Sequence, residues 1–325
     1  MIGPRVDAPR PAAVLDRMAF GHGERLELEA LAGGLTNRNF RVRAASGREY
    51  VARFAGAKSA LLAIDRDAEA YNSAVAASIG VGPQVVEYAP DEHVLVVEWI
   101  NGRTFSDGDL DNPTTLDRVA AVCRRLHAGP RFTNDFDMFA VQRQYLRIVQ
   151  EHGFRLPSGY LDFADHAHDL DKVLHTPGLG TVACHNDLLA ANIMDAGSRV
   201  WFIDYEYSGN NDPCFELGNI WSEADLPLDR LEHLVTAYFR GPAPVQTARA
   251  RLFGVMAKYS WTLWAAIQDA VSDVGFDFWT WGMAKYERAV AEFRGSDFTR
   301  MINIVGTSPA ESPDEGAEQW PTPSS

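Results

Sequence analysis

The sequence predicts an α+β chain in two lobes, a small β-sheet lobe followed by a mainly helical one. Three observations carry this. Up to Ile100 the chain runs as short alternating segments broken by glycine turns. After Gly102 the apolar residues recur at helical spacing. Inside the helical part, the stretch from Cys184 to Asp204 returns to strand-like runs and gathers acidic and amide residues.

Leu26 to Leu31 alternates, Gly33-Gly34 breaks the run, and Phe40 to Arg43 alternates again. Gly47 marks the next turn before Tyr50 to Phe54. Asp65 to Ile79 reads as a helix, stopped by Gly80-Val81-Gly82-Pro83. Gln84 to Tyr88 and His93 to Ile100 complete a lobe of five strands and one helix. In the second lobe Leu116, Val119, Cys123 and Leu126 mark one helical face. Phe139 to His152, Ala164 to Leu174, Leu231 to Phe239 and Gln246 to Ala270 continue the helical content, and Phe215-Glu216-Leu217-Gly218-Asn219 leads another helix. The organisation expected is a flexible start over 1–12, a nucleotide-binding lobe over 13–100, and a catalytic and acceptor-binding lobe over 101–306. The Pro/Ser-rich tail over 307–325, which holds an isolated Trp320, is expected to be disordered.

An apolar fraction of 46% over 325 residues is enough for a sizeable core. A net charge of −14 with no dense basic stretch argues against nucleic acid or an anionic membrane as partner, and suits a cationic small molecule. Three cysteines, Cys123, Cys184 and Cys214, lack CxxC spacing, so a reduced cytoplasmic chain without disulfides is expected. No apolar run reaches membrane-spanning or signal-peptide character.

The chemistry concentrates in C-H-N-D-L-L-A-A-N-I-M followed by V-W-F-I-D-Y-E-Y. Phosphoryl transfer to a hydroxyl needs a carboxylate beside the attacking oxygen and oxygen ligands for a metal on the phosphates. Asp187 can orient or deprotonate the hydroxyl. Asn192, five residues on, can offer its amide oxygen to a metal, and Asp204, ending an apolar strand, can offer a carboxylate. This order resembles that of protein-kinase-like phosphotransferases. In the first lobe, Gly33, Gly34, Thr36 and Asn37 form a turn whose glycines allow close approach to phosphates. Arg53 on the next strand can hold those phosphates, with Glu69 fixing its direction and Arg66 competing for the same carboxylate. Backbone groups of Glu98 and Ile100 are placed to meet an adenine edge.

G-G-L-T-N at 33–37, H-N-D-L-L at 185–189, I-D-Y-E-Y-S at 203–208 and W-T-L-W-A-A-I-Q at 261–268 resemble the choline/ethanolamine kinase family, within the wider aminoglycoside-phosphotransferase group and nearest its bacterial choline-kinase-like branch. The resemblance implies a two-lobed kinase fold, ATP and Mg²⁺ as cofactors, Asp187 as catalytic base, and Asn192 and Asp204 as metal ligands. It also implies that Glu206 supports the loop or the metal. The chain departs from the family at Ala190-Ala191 before Asn192 and at Asn210-Asn211-Asp212, where many eukaryotic members carry tyrosines.

The resemblance also implies that Trp261, Trp264 and Trp281 form a cage for a quaternary ammonium, with Glu223 as the neutralising anion; Asp212 is a second candidate. Ring faces attract cations without hydrogen bonds, each desolvated contact contributing about 2 kcal/mol. Aromatic stripes of this kind also serve as core packing. The reaction expected is phosphorylation of choline or a close amino alcohol. Ethanolamine, thiamine or an aminoglycoside is the alternative acceptor. A nucleotide- or choline-binding pseudokinase and a metal-dependent phosphohydrolase are readings of other classes. The intact Asp187, Asn192 and Asp204 speak against the first, and the absence of further ligands at metal spacing against the second. His166 and His168 lie two apart on a helix and do not face one site. His185 is expected to orient the loop.

Overall fold

The computed structural model describes residues 11–56, 59–175 and 180–307. The rest of the two termini, with Trp320, lies outside them. Pro11 and Ala12, expected to be loose, open a short helix α1 (Pro11–Leu15) that buries Val14 and Leu15.

The first lobe is an antiparallel sheet of β1 (Leu26–Ala30), β2 (Asn37–Ala44), β3 (Glu49–Ala55), β4 (Val85–Ala89) and β5 (Val94–Glu98), in the order β1-β2-β3-β5-β4. Side chains alternate between its faces. Val42, Tyr50, Ala52, Val94 and Val96 pack on one side with Val14, Leu15 and Met18. The other side brings Leu95 and Val97 against Ala70 of α2 (Arg66–Ser78). Arg53 falls on this second side by the period of two, so it points toward α2 and the second lobe. Asp65 caps α2 by accepting from the Asp67 and Ala68 amides, and the helix ends before Gly80, whose φ is +68°.

The second lobe begins where β6 (Arg103–Thr104) pairs with β8 (Ile193–Asp195), which pairs with β9 (Val200–Phe202). A second ribbon joins β7 (Val182–Cys184) to β10 (Gly209–Asn211). Around these ribbons lie α3 (Asp107–Leu110), α4 (Pro113–His127), α5 (Met138–His152), α6 (Ala164–Leu174), α7 (Pro213–Glu223) and α8 (Leu228–Phe239). The 28-residue α9 (Pro244–Val271), α10 (Phe278–Arg294) and α11 (Asp297–Thr307) follow. The face of α4 expected from Leu116, Val119, Cys123 and Leu126 is buried.

The centre of this lobe is α9, buried along most of its length against α5, α7, α10 and α11. Glycines set how closely α7 approaches it. A Cβ at Gly218 would collide with the Ala250 carbonyl, and one at Gly254 would meet the Gly218 carbonyl. This crossing places three residues of α7 (Glu216, Asn219 and Glu223) against the site described next. No helix among the described residues is long and apolar enough to cross a membrane.

Candidate active site

The loop after β7 is held by a buried carboxylate. Glu216 accepts from the His185 amide at 2.8 Å and the Asn186 amide at 2.7 Å. Burial works to raise the Glu216 pKa, but bonds and charge from His127 and His185 hold it below the ordinary value. Asn186 is left-handed, with φ +66°, and its Nδ2 donates to the Tyr207 and Gly209 carbonyls at 3.0 and 3.2 Å. Positive φ at a non-glycine persists only where surroundings over-determine it, and these bonds do so.

His185 orients the loop as expected. Its Nε2 lies 2.8 Å from the Ile203 carbonyl, and its Nδ1 accepts from the Asp187 amide at 3.3 Å. A carbonyl on one side and an N–H on the other assign a neutral ring protonated at Nε2. Burial lowers its pKa, in keeping with the neutral form. Asn192 Nδ2 donates to the Asp187 carbonyl at 2.8 Å and to Asp187 Oδ2 at 3.1 Å. Its amide oxygen takes no part in these bonds. Ile203 N donates to the Asn192 carbonyl at 2.9 Å, so Asp204, the next residue, is fixed beside the loop with φ +69°.

Asp187, Asn192 and Asp204 thus meet in one cleft, together with Arg53, and its volume is about 620 Å³. Burial pushes the Asp187 carboxyl well above the usual range, and the like charges of Glu223, Asp204 and Glu206 add to it.

A chain of charges crosses from lobe to lobe. Arg53 Nη2 contacts the Asp204 carboxylate directly and lies 3.2 Å from Glu69 Oε1. Arg66 Nη1 binds Glu69 Oε2 at 2.6 Å and Glu206 Oε2 at 3.1 Å. Arg53 and Arg66 therefore share the Glu69 carboxylate. Burial disfavours the Arg53 charge, yet Asp204, Glu69 and Glu206 outweigh it and raise the pKa. Burial, then the Asp204 charge, pushes Glu206 up to about 7.

Glu206 also accepts from Thr36 Oγ1 at 2.7 Å and Asn37 Nδ2 at 2.9 Å. Gly33, with φ +99°, Gly34 and Thr36 line the cleft. Asn37 does not; it is turned inward onto Glu206, because that buried carboxylate needs donors. Glu98 and Ile100 line the same cleft. The Glu98 amide is already bonded to the Gln84 carbonyl at 2.9 Å, whereas the Ile100 amide has no partner among the described residues.

The far end of the cleft is aromatic: Trp261, Trp264 and Trp281 line it with Tyr207, Glu223 and Asp107. Trp264 and Trp281 meet edge-on with centroids 5.6 Å apart, and Tyr207 meets Trp261 at 5.1 Å. Trp261 Nε1 donates to Asn219 Oδ1 at 3.3 Å, and Trp264 Nε1 to the Tyr207 hydroxyl at 3.0 Å. Glu223 is paired with Lys285, whose Nζ lies 2.9 and 2.8 Å from its two oxygens. Asp212 is absent from the cleft lining. It caps α7 through the Cys214 amide and pairs with Arg249 at 2.7 Å, which removes it as a candidate anion for the acceptor.

The sequence reading missed Tyr207, Lys285 and Asp107. Lys285 follows Trp281 by one helical turn, so spacing could have pointed to it; Tyr207 lies in the turn after Asp204, where no periodicity marks it. Asp107 carries no such signal. His166 sits among Phe163, Phe293 and Phe298 as a packing residue. Among the described residues the one group within metal-ligand spacing is His127, Cys184 and Glu216, buried under the catalytic loop.

A sheet lobe with a glycine turn and strand arginine, joined to a helical lobe bearing Asp187, Asn192 and Asp204, defines a kinase-fold phosphotransferase. The model of the choline/ethanolamine kinase family matches residues 28–231, and the chain belongs to that family. It is a kinase with an alcohol group as acceptor. Protein LicA of Haemophilus influenzae strain Rd is 27% identical over 250 residues, covering 72% of this chain and 91% of that protein. Human ethanolamine kinase 1 is 25% identical over 307 residues, covering 82% of this chain and 67% of that protein. The crystal structure of a choline/ethanolamine kinase family protein from Mesorhizobium loti superposes with a TM-score of 0.79 at 33% identity, covering 91% of this chain and 98% of that one.

Proposed function

We propose that the protein transfers the terminal phosphoryl group of ATP to the hydroxyl of choline or a close amino alcohol, giving phosphocholine and ADP. The observation that carries this is the aromatic end of the cleft, which opens onto Asp187. The indole N–H groups of Trp261 and Trp264 are bonded to protein, so these rings offer faces, the surface a trimethylammonium head prefers.

Asp187 accepts the hydroxyl proton while the hydroxyl oxygen bonds to the γ-phosphorus and the bond to ADP breaks. Its raised pKa suits a base. Gly33, Gly34 and Thr36 face the phosphates, with Asn37 bracing the turn through Glu206. Arg53, steered by Glu69, meets the phosphates, and the Ile100 amide and Glu98 backbone meet the adenine. The Asp204 carboxylate and the Asn192 amide oxygen are hard oxygen donors of the kind Mg²⁺ takes. Asp204 already attracts the Arg53 cation, as a ligand awaiting positive charge would. When bound there, Mg²⁺ supplies charge neutralisation for the phosphate oxygens. Trp261, Trp264 and Trp281 surround the ammonium head, with the Asp107 carboxylate and the Glu223–Lys285 pair on the same wall. The three cysteines are free thiols, in keeping with a reducing, cytoplasmic setting.

Ethanolamine is the second reading, favoured by the Asp107 carboxylate on the same wall, unpaired among the described residues. Steady-state turnover with ATP over a panel of choline, ethanolamine, thiamine and an aminoglycoside, with and without chelator, tests the proposal. The expected result is a higher kcat/KM for choline and loss of turnover in chelator. Preference for another acceptor would overturn the choline assignment.

A further inference from the structure

The cation side of the acceptor pocket already holds a cation. Lys285 is 5% exposed, and its Nζ binds both Glu223 oxygens and lies 4.3 Å from the Trp281 ring centroid. A primary ammonium on an aromatic face with a bidentate carboxylate is what an amino-alcohol head would seek there. The chain supplies it from α10, four residues after Trp281.

Two further polar groups of this wall are also spoken for. Trp261 Nε1 is bonded to Asn219, and Trp264 Nε1 to Tyr207. Asp107 also lines the cleft, near enough to feel the charges of Glu223 and Lys285, but it is exposed to solvent, which competes for its oxygens. An incoming primary ammonium would shed water and find, among the described residues, no unpaired carboxylate buried beside the rings to accept its N–H groups, a loss that ring faces do not make good. A quaternary ammonium has no N–H to satisfy.

We propose that Lys285 sets acceptor selectivity by occupying Glu223, so that the pocket reads a head group by its methyls and excludes heads that must donate hydrogen bonds. This rests on the amino-alcohol reading of the same site. Releasing Glu223 would draw both kinds of cation by charge, but only a primary ammonium gains hydrogen bonds. The ratio of kcat/KM for ethanolamine to that for choline therefore isolates the effect.

The experiment measures that ratio at saturating ATP for the native enzyme, Lys285→Met, Lys285→Gln and Lys285→Arg. Lys285→Met should move the ratio toward ethanolamine by roughly 10- to 100-fold, the range of one restored charged hydrogen bond. Lys285→Gln, which keeps one donor on Glu223 and serves where the methionine variant does not fold, should move it the same way by less. Lys285→Arg, which keeps the pair, should leave it within about twofold. An unchanged ratio in both Lys285→Met and Lys285→Gln, or an equal gain for both acceptors, overturns the inference. The native preference between the two acceptors separately tests the choline reading, so either can fail alone.

Discussion

Replacing Asp187 by asparagine should abolish turnover and make the protein more stable. The carboxylate is raised well above its usual pKa by burial and by Glu223, Asp204 and Glu206, and the donor it gains in return is Asn192 Nδ2 at 3.1 Å. A carboxyl whose folded pKa exceeds its unfolded value, about 3.9, costs stability at every pH where the unfolded group is charged. That cost is absent below the unfolded pKa, grows as pH rises above it, and levels off once the pH passes the folded one. The Asp187→Asn side chain would keep an acceptor for Asn192 and remove the charge. Because the cleft admits solvent to Asp187, the gain should be modest, about 1 kcal/mol, or about 2 °C in Tm for a chain of this size. Loss of the base should lower kcat by about 10²- to 10⁴-fold. The assay is paired: thermal melts of both proteins without nucleotide or divalent cation at pH 4 and pH 8, and steady-state turnover at pH 8. The Tm difference should be largest at pH 8 and close to zero at pH 4. A variant that melts at or below the native temperature at pH 8, or turns over within tenfold of native, would refute the reasoning.

Three further outcomes are expected. Arg53→Ala should raise the KM for ATP and lower kcat, and Glu69→Ala should do so more weakly, because Arg53 keeps its contact with Asp204 when Glu69 is gone; unchanged ATP kinetics in both would remove the pair from nucleotide binding. Glu216→Gln should cost about 2 kcal/mol in a urea titration and slow turnover, since one of two buried loop amides faces an NH₂ group in place of an acceptor; native stability would mean that the loop is held by other contacts. Trp264→Ala should raise the KM for choline by roughly 5- to 30-fold and that for ethanolamine by less. Equal losses would make Trp264 a packing residue.

What the sequence shows and what it hides follow from range. The sheet lobe has local signals, alternation and glycine turns, and its five strands appear where those signals fall. Asp187, Asn192 and Asp204 converge because a short loop and strand connect them. Both partners of the expected Arg53–Glu69 pair point inward by simple periodicity, and the pair forms. Hidden features depend on long-range pairing. Asn37 reads as a phosphate contact until Glu206, distant in sequence, claims it. Asp212 reads as a free anion until Arg249 is seen beside it. The sequence suggests no helix past Ala270, yet Phe278–Arg294 folds as α10, because packing on α9 overrides the weak helix propensity of its aromatic residues and Gly282.

The α7 helix presents Glu216 to the catalytic loop, Asn219 to Trp261 and Glu223 to Lys285. Seven residues of helix separate the first from the last, a rise of about 10 Å. The glycine contact with α9 leaves that helix no freedom to slide. The spacing between the loop that holds Asp187 and the seat of the acceptor's charged head is therefore written into one continuous backbone. In the proposed reaction the acceptor would be measured against a gauge within one lobe, while Gly33, Gly34, Thr36 and Arg53 of the other would hold the phosphates. On that reading, a shift of one lobe against the other would leave the length of alcohol accepted unchanged.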